Sequence, residues 1–319
     1  TLLARADVFD RVGPLDEALL SVNEHIDFCL DVRRAGGTVY LQPAAVTSYV
    51  PPPVDCDWQD CPYFMLRWSE CWNRASMSHF NRKHGVAGVR FAGDRSNLDE
   101  DTVVGFARAH RRALTGLRFP VDAADRPGSP AQEAELMLAL LHSVDRDTCG
   151  LSISTPERLL EQHDAVELRL LMQRLPGILW EADAQGHSVT ISPRSQGHPN
   201  EPAVVCIDGL DRDGLARLQP YAFMTLETGA QRYQCWLAIV VGAATGAIAS
   251  RLRAPASDAS GVRGAGPASA GVLLAGSRDP RAGHGARVEI SSGQVGLVTA
   301  LAHLEREGLT PYLWTAQRF

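Results

Sequence analysis

The chain has 319 residues, 45% apolar and 21% charged; that apolar share offsets chain entropy, so wholesale disorder is excluded, and the length favours two domains over one. Its 31 Lys+Arg against 37 Asp+Glu leave a formal net charge of −6, without the bulk positive charge of a tight nonspecific DNA binder. The longest apolar stretch, Cys235 to Ile248, is broken by Gly242 and Gly246 and falls short of the roughly 20 residues of a membrane span, so no transmembrane segment is expected.

Lys83 is the single lysine, an arginine bias that fits a GC-rich bacterial genome better than a function. The seven cysteines form no CxxC pair, and Cys206 and Cys235 sit in apolar runs. Reduced, buried thiols in a cytosolic protein are therefore expected, and Cys56, Cys61 and Cys71 lack zinc-type spacing. The chain begins with Thr1 and shows no leader pattern, and it reads as a piece of something longer.

In chain order, Thr1 to Arg5 reads as a strand or edge, with a helix starting at Ala6-Asp7 and a turn at Gly13-Pro14. A helix from about Asn23 to Ala35 has Asn23 as its N-cap and Gly36-Gly37 as its stop, and Thr38 to Leu41 alternates like a strand. A second helical segment spans Tyr63 to His84 with Phe64, Trp68, Trp72 and Phe80 as a core stripe, and a third spans Asp101 to Leu117. Residues 119–130 read as a linker by composition.

Beyond it, helices are expected over Ala131 to Ser143 and after Thr155-Pro156-Glu157, where Thr155 caps and Pro156 opens the helix. Strands follow at Ser188–Ser192, Ala203–Ile207, Phe223–Leu226 and Tyr233–Val241, with a helix over Arg212 to Leu218. Residues 254–270, rich in Ala, Gly, Ser and Pro, read as a mobile loop or a loosely held helix.

The first 118 residues carry Arg5-x-x-x-Phe9, Gly13-x-x-Asp16-Glu17, Glu24-His25-Ile26-Asp27, Arg33-x-Ala35-Gly36-Gly37, Pro43-x-Ala45 and Leu66-Arg67-Trp68-Ser69-Glu70. In that order they resemble the C-terminal part of inverting family-2 glycosyltransferases of the GT-A fold. The resemblance implies transfer of a sugar from a nucleotide-sugar donor to a saccharide, lipid or protein acceptor, in the cytoplasm or at the inner-membrane surface. A nucleotide-binding half with an Asp-x-Asp metal motif would lie upstream. The general base would be a carboxylate at a helix start. His25 departs from the family's Glu-Asp pair, which leaves Glu24 and Asp27 as the catalytic candidates. Both acids would also suit the positive end of a helix dipole without any catalytic role.

Residues 131–319 carry Met172-Gln173-Arg174, Val204-Val205-Cys206-Ile207-Asp208-Gly209-Leu210-Asp211, Glu227-Thr228-Gly229-Ala230-Gln231-Arg232-Tyr233-Gln234-Cys235-Trp236 and Leu274-Ala275-Gly276-Ser277-Arg278-Asp279-Pro280. Together they resemble the RepB-type plasmid primase domain, a primase palm. That resemblance implies Asp208 and Asp211 as ligands of a divalent Mg or Mn ion, and Arg232, Tyr233 and Arg278 as contacts to single-stranded nucleic acid. The family pattern has a further acid at Gly209 and Asn-x-Lys at Asp279-Pro280-Arg281, so active and inactive forms of the domain both stay open. On the residues alone, Asp211 serves equally well as a helix cap, and Tyr233 and Trp236 pack on opposite faces of a strand. The expected architecture is α/β: an incomplete GT-A part (1–118), a linker (119–130) and an α+β, RRM-like primase-palm domain (131–319). Either that palm module or the sugar transferase carries the function.

Overall fold

The computed structural model describes residues 2–46, 60–85, 100–120, 129–195, 201–229, 231–242, 246–253, 271–279 and 287–319. They divide into two compact units, residues 1–56 with 63–113 and residues 57–62 with 114–319.

The first unit is helical among its described residues: α1 (Ala6–Val12), α2 (Glu24–Arg34), α3 (Cys61–Arg67, from Tyr63 onward), α4 (Glu70–His84) and α5 (Glu100–Ala113). Asn23 precedes α2 but makes no side-chain cap. Its left-handed backbone (φ 72°) turns the amide inward, where Nδ2 donates to Met77 Sδ at 3.0 Å. The single helix expected over Tyr63 to His84 is two, because Ser69 takes an extended conformation and its hydroxyl accepts from Trp72 N at 3.2 Å, starting α4 afresh. The core face of α4 is Asn73, Ser76, Met77 and Phe80, so of the aromatic stripe Phe80 alone lies in it. Of that stripe Phe64, Trp68 and Trp72 are only half-buried, and Trp68 stacks on His110 of α5 at 3.8 Å.

No strand forms among the described residues of this unit, so a GT-A component is not shown. Residues 2–5 and 38–41 lack a neighbouring ladder, and Tyr40 and Leu41 are 84% and 90% exposed; alternation alone does not hold a strand without a partner.

The second unit is mixed α/β with antiparallel sheets. Its elements are β1 (Arg118–Pro120), α6 (Pro130–Ser143), β2 (Thr148–Ser154), β3 (Leu159–Glu167), α7 (Leu168–Ala184), β4 (Ser188–Pro193), β5 (Ala203–Leu210), α8 (Arg212–Leu218), β6 (Met224–Gly229) and β7 (Arg232–Val240). There follow α9 (Ala247–Arg253), β8 (Val272–Leu273), β9 (Glu289–Gln294), β10 (Thr299–Ala300), α10 (Leu301–Arg306) and β11 (Gln317–Arg318). The larger sheet runs β1-β9-β6-β7-β5-β11 with β10 parallel to β7, and the smaller runs β3-β2-β4-β8. Phe119 and Pro120, which composition places in a linker, belong to β1, paired with β9 through Phe119↔Gly293 and Pro120↔Ser292; residues 121–128 lie outside the described residues.

Helix α6 opens at Pro130, just before the expected Ala131, with Ser129, which composition places in the linker, capping Gln132 N and Pro130 in the first turn. Nearly all its faces are buried, and Glu133 inside it accepts from Ile290 N of β9 at 2.9 Å. The helix expected after Thr155 is instead a hairpin turn and the ribbon β3. The Thr155 hydroxyl accepts from Glu157 N and Arg158 N, both at 3.2 Å, closing the turn rather than a helix. The apolar run at Cys235 is the central strand β7, buried on both faces from Tyr233 to Ile239. Among the described residues no helix is long and apolar enough to cross a membrane. Cys56 and residues 254–270 lie outside the described residues.

Candidate functional site

Period-2 alternation along β7 sends Tyr233, Cys235, Leu237 and Ile239 into an apolar core with Leu218 of α8 and Leu304 of α10. The opposite face carries Arg232 and Gln234 and, deeper, Trp236, stacked on Phe319 at 5.3 Å. That polar face floors a cleft of ≈ 740 Å³ between the two sheets. The larger sheet adds Cys206 and Asp208 of β5, Thr228 of β6 and Gln317 of β11. The smaller sheet supplies Ser154, Ser188 and Thr190, and Asp279 also reaches the wall. Hydroxyls, carboxylates and one arginine in a single concave site can hold a polar, anionic ligand through charge and hydrogen bonds.

Asp208 reaches the cleft because the β5–β7 ladder shifts register between Ile207 and Leu210, which pushes Asp208 and Gly209 outward between buried neighbours. Gly209 has a φ of 73°, and the Asp208 carboxylate accepts from its N–H at 2.8 Å. Asp211 does not join it. Its Oδ1 accepts from Gly214 N at 2.8 Å as the N-cap of α8, and with Tyr233 it borders a separate hollow of ≈ 300 Å³.

The predicted nucleic-acid contacts separate in the same way. Arg232 is exposed in the cleft, whereas Tyr233 is 9% exposed and packs into the apolar core. Arg278 pairs with Asp183 at 2.8 Å, as does Arg287, and these pairings, that to Arg278 foremost, hold the Asp183 carboxyl below its usual range despite some burial. The neighbour Asp279 faces the cleft instead. Burial raises the Cys206 thiol well above its ordinary range, which keeps this cleft residue protonated and a poor nucleophile.

In the first unit, Asp27 is 1% exposed and fully engaged: Lys83 Nζ donates to it at 2.8 Å, and His84 Nε2 lies 2.7 Å away. Lys83 also reaches Asp16 at 3.0 Å and Asp31 at 2.9 Å, and His79 lies 2.9 Å from Asp16. Asp27, Asp31 and His84 are, among the described residues, the group whose ligand atoms converge closely enough for a metal, but the Lys83 ammonium already supplies the cation there. Glu24 at the start of α2 is half-buried, 3.8 Å from Arg67, with Oε2 buried and without a hydrogen-bond partner among the described residues.

Sequence reasoning passed over Asp279, Gln234, Thr228, Ser188 and Thr190. The signal for Gln234 was its place two residues after Arg232 on one strand face; nothing in the Arg278-Asp279 pair tells which side chain turns inward.

No protein-family model and no curated protein matches the chain. Two solved structures do. One is the catalytic domain of primase RepB' in complex with initiator DNA, at 20% identity, covering 57% of this chain and 95% of that one with a TM-score of 0.36. The other is primase RepB', at 21% identity, covering 57% of this chain and 63% of that one with a TM-score of 0.37; neither is a glycosyltransferase.

Proposed function

We propose that the second unit is a nucleotide-binding module of the primase-palm kind, which takes a nucleoside triphosphate or the end of a nucleic-acid single strand into the cleft between its sheets. The observation that carries this is the meeting of Arg232, Asp208 and Asp279 with a set of hydroxyls in one concave site. In this reading Arg232 meets a phosphate. Asp208 holds a Mg or Mn ion, with Asp279 the other carboxylate of the cleft, while Asp211 serves the fold as a helix cap. The test is equilibrium binding of labelled nucleoside triphosphate and of single-stranded DNA, with and without Mg. Arg232→Ala is expected to weaken both by about tenfold, the worth of one charge-assisted phosphate contact. Asp208→Asn is expected to remove the Mg dependence. Binding by neither ligand, or binding indifferent to Arg232, would refute the reading.

A second reading, sugar transfer by the first unit, is favoured by one observation, the partnerless buried Oε2 of Glu24 at the head of α2. Of the two candidate bases it selects Glu24, since Asp27 is committed to Lys83 and His84. It predicts that any nucleotide-sugar turnover by the chain disappears in Glu24→Gln with the fold intact; turnover retained in that variant rules it out.

A further inference from the structure

Gln234 is 4% exposed, lines the cleft, and carries a side-chain oxygen that is buried without a hydrogen-bond partner among the described residues. It lies on the central strand, paired opposite Leu226 of β6, so the backbone that carries it is fixed on both sides. The neighbouring side chains of the larger sheet do not answer it. The Thr228 hydroxyl donates to Arg232 O at 3.4 Å, and the Cys206 thiol is a weak donor. A buried amide acceptor left unmade destabilises the fold, and an apolar side chain of similar volume would remove that penalty. A glutamine held there is explained by a ligand that completes its hydrogen bonds.

We infer that Gln234 is the base-reading residue of the cleft, its amide meeting the hydrogen-bonding edge of a nucleobase whose phosphate reaches Arg232. This rests on the nucleotide-binding reading above. A carboxamide presents an acceptor beside a donor, the pattern that a base edge offers in complement and that a phosphate or a metal ion does not. Arg232 and Gln234 share one face of β7, about 7 Å apart along the strand, so a single nucleotide can engage both. The partnerless oxygen asks for a donor, which selects among bases by the position of their N–H groups.

The test measures binding of ATP, GTP, CTP and UTP, and of inorganic tripolyphosphate as a base-free probe, to the full chain with Mg. The wild-type protein is expected to prefer one base by about tenfold or more, the discrimination one bidentate amide contact supplies. Gln234→Met is expected to level the four affinities to within about threefold. Gln234→Glu keeps the acceptor and loses the donor, and is expected to shift preference toward cytosine, whose amino group pairs with a carboxylate. If Gln234→Met fails to fold by circular dichroism, Gln234→Glu decides. A wild type without base preference, or a preference unmoved in a folded variant, overturns the role of Gln234 while nucleotide binding stands. Failure of the wild type to bind any triphosphate or tripolyphosphate overturns the nucleotide reading itself, and this inference with it.

Discussion

Replacing Lys83 with methionine keeps the aliphatic stem and removes the ammonium shared by Asp16, Asp27 and Asp31 at 2.8–3.0 Å. At an effective dielectric constant of about 20, each such pair attracts by about 6 kcal/mol. The Lys83 side chain is only 25% exposed and that of Asp27 2%, so desolvation offsets much of this, and losing one partner of a buried pair costs about 3–5 kcal/mol. Burial pulls the lysine pKa down, but hydrogen bonds to Asp27, Asp31 and Asp16 outweigh it and raise it above the ordinary value. The Asp16 carboxyl is held well below the usual carboxylate range, first by His79 and, against burial, by Lys83. A depressed carboxylate stabilises the fold above its unfolded pKa of about 4 and loses that contribution as pH falls through the folded value; the raised lysine contributes below its unfolded pKa of about 10.4 and loses it above. Both contributions are therefore complete near neutrality. In Lys83→Met the shared ammonium is gone while His79 stays on Asp16 and His84 on Asp27, so the Asp16 carboxyl is held down less and the variant gains on the wild type once pH falls below the unfolded carboxylate value of about 4. Hydrogen exchange of peptides from α2 and α4 in the full chain reads this: the opening free energy falls by about 3–5 kcal/mol near pH 7, and the gap narrows below about pH 4. A gap under about 1 kcal/mol, or one that widens on acidification, would refute the reasoning.

Gly276 has a φ of +81°, and a Cβ there would lie 2.1 Å from the Pro130 carbonyl oxygen at the head of α6. Gly276→Ala is expected to cost about 2–5 kcal/mol in denaturant unfolding, from backbone strain and overpacking together, against about 1–2 kcal/mol for Gly308→Ala, whose φ of +67° opens on free space; equal losses would deny the close approach. Arg146 is 1% exposed, pairs with Glu201 and donates to the Pro202 carbonyl at 2.7 Å. Arg146→Met should therefore cost about 3–5 kcal/mol and the double variant with Glu201→Gln markedly less, measured by the same unfolding curves. Burial pushes the Cys149 thiol up to about 12 and raises Cys206 and Cys235 as well. Alkylation by iodoacetamide, followed by mass spectrometry, should spare all three in the native protein and modify them in guanidinium chloride; native labelling at Cys149 would contradict its burial.

Elements announced by local chemistry were legible in the sequence. The body of α6 over Ala131 to Ser143 and the apolar runs of β5 and β7 each follow from a few adjacent residues. What failed depended on distant partners. Asp27 reads as a base until Lys83, 56 positions away, is seen to hold it. Thr38–Leu41 alternates as a strand but finds no ladder among the described residues. Thr155 carries a capping hydroxyl that closes a helix and a hairpin turn equally well, and the exposed ribbon β3 lacks the apolar period that would separate them. The cleft was half legible: of the residues singled out in the sequence, Asp208 and Arg232 both line it, while Asp211, Tyr233 and Arg278 are drawn to a cap, a core and an ion pair. Burial of a glutamine on a strand face leaves no mark in composition.

The register shift that carries Asp208 and Gly209 out of the β5–β7 ladder separates two kinds of selection. Both residues are exposed while Ile207 and Leu210 on either side are buried, and a side chain at position 208 fills no gap in the sheet. Change at this position would leave the buried ladder on either side intact and alter only the local turn that the Asp208 carboxylate closes on Gly209 N–H. An asparagine would keep that acceptor and lose the charge, so exchange between Asp and Asn at position 208 among relatives would record the history of the activity independently of the history of the fold.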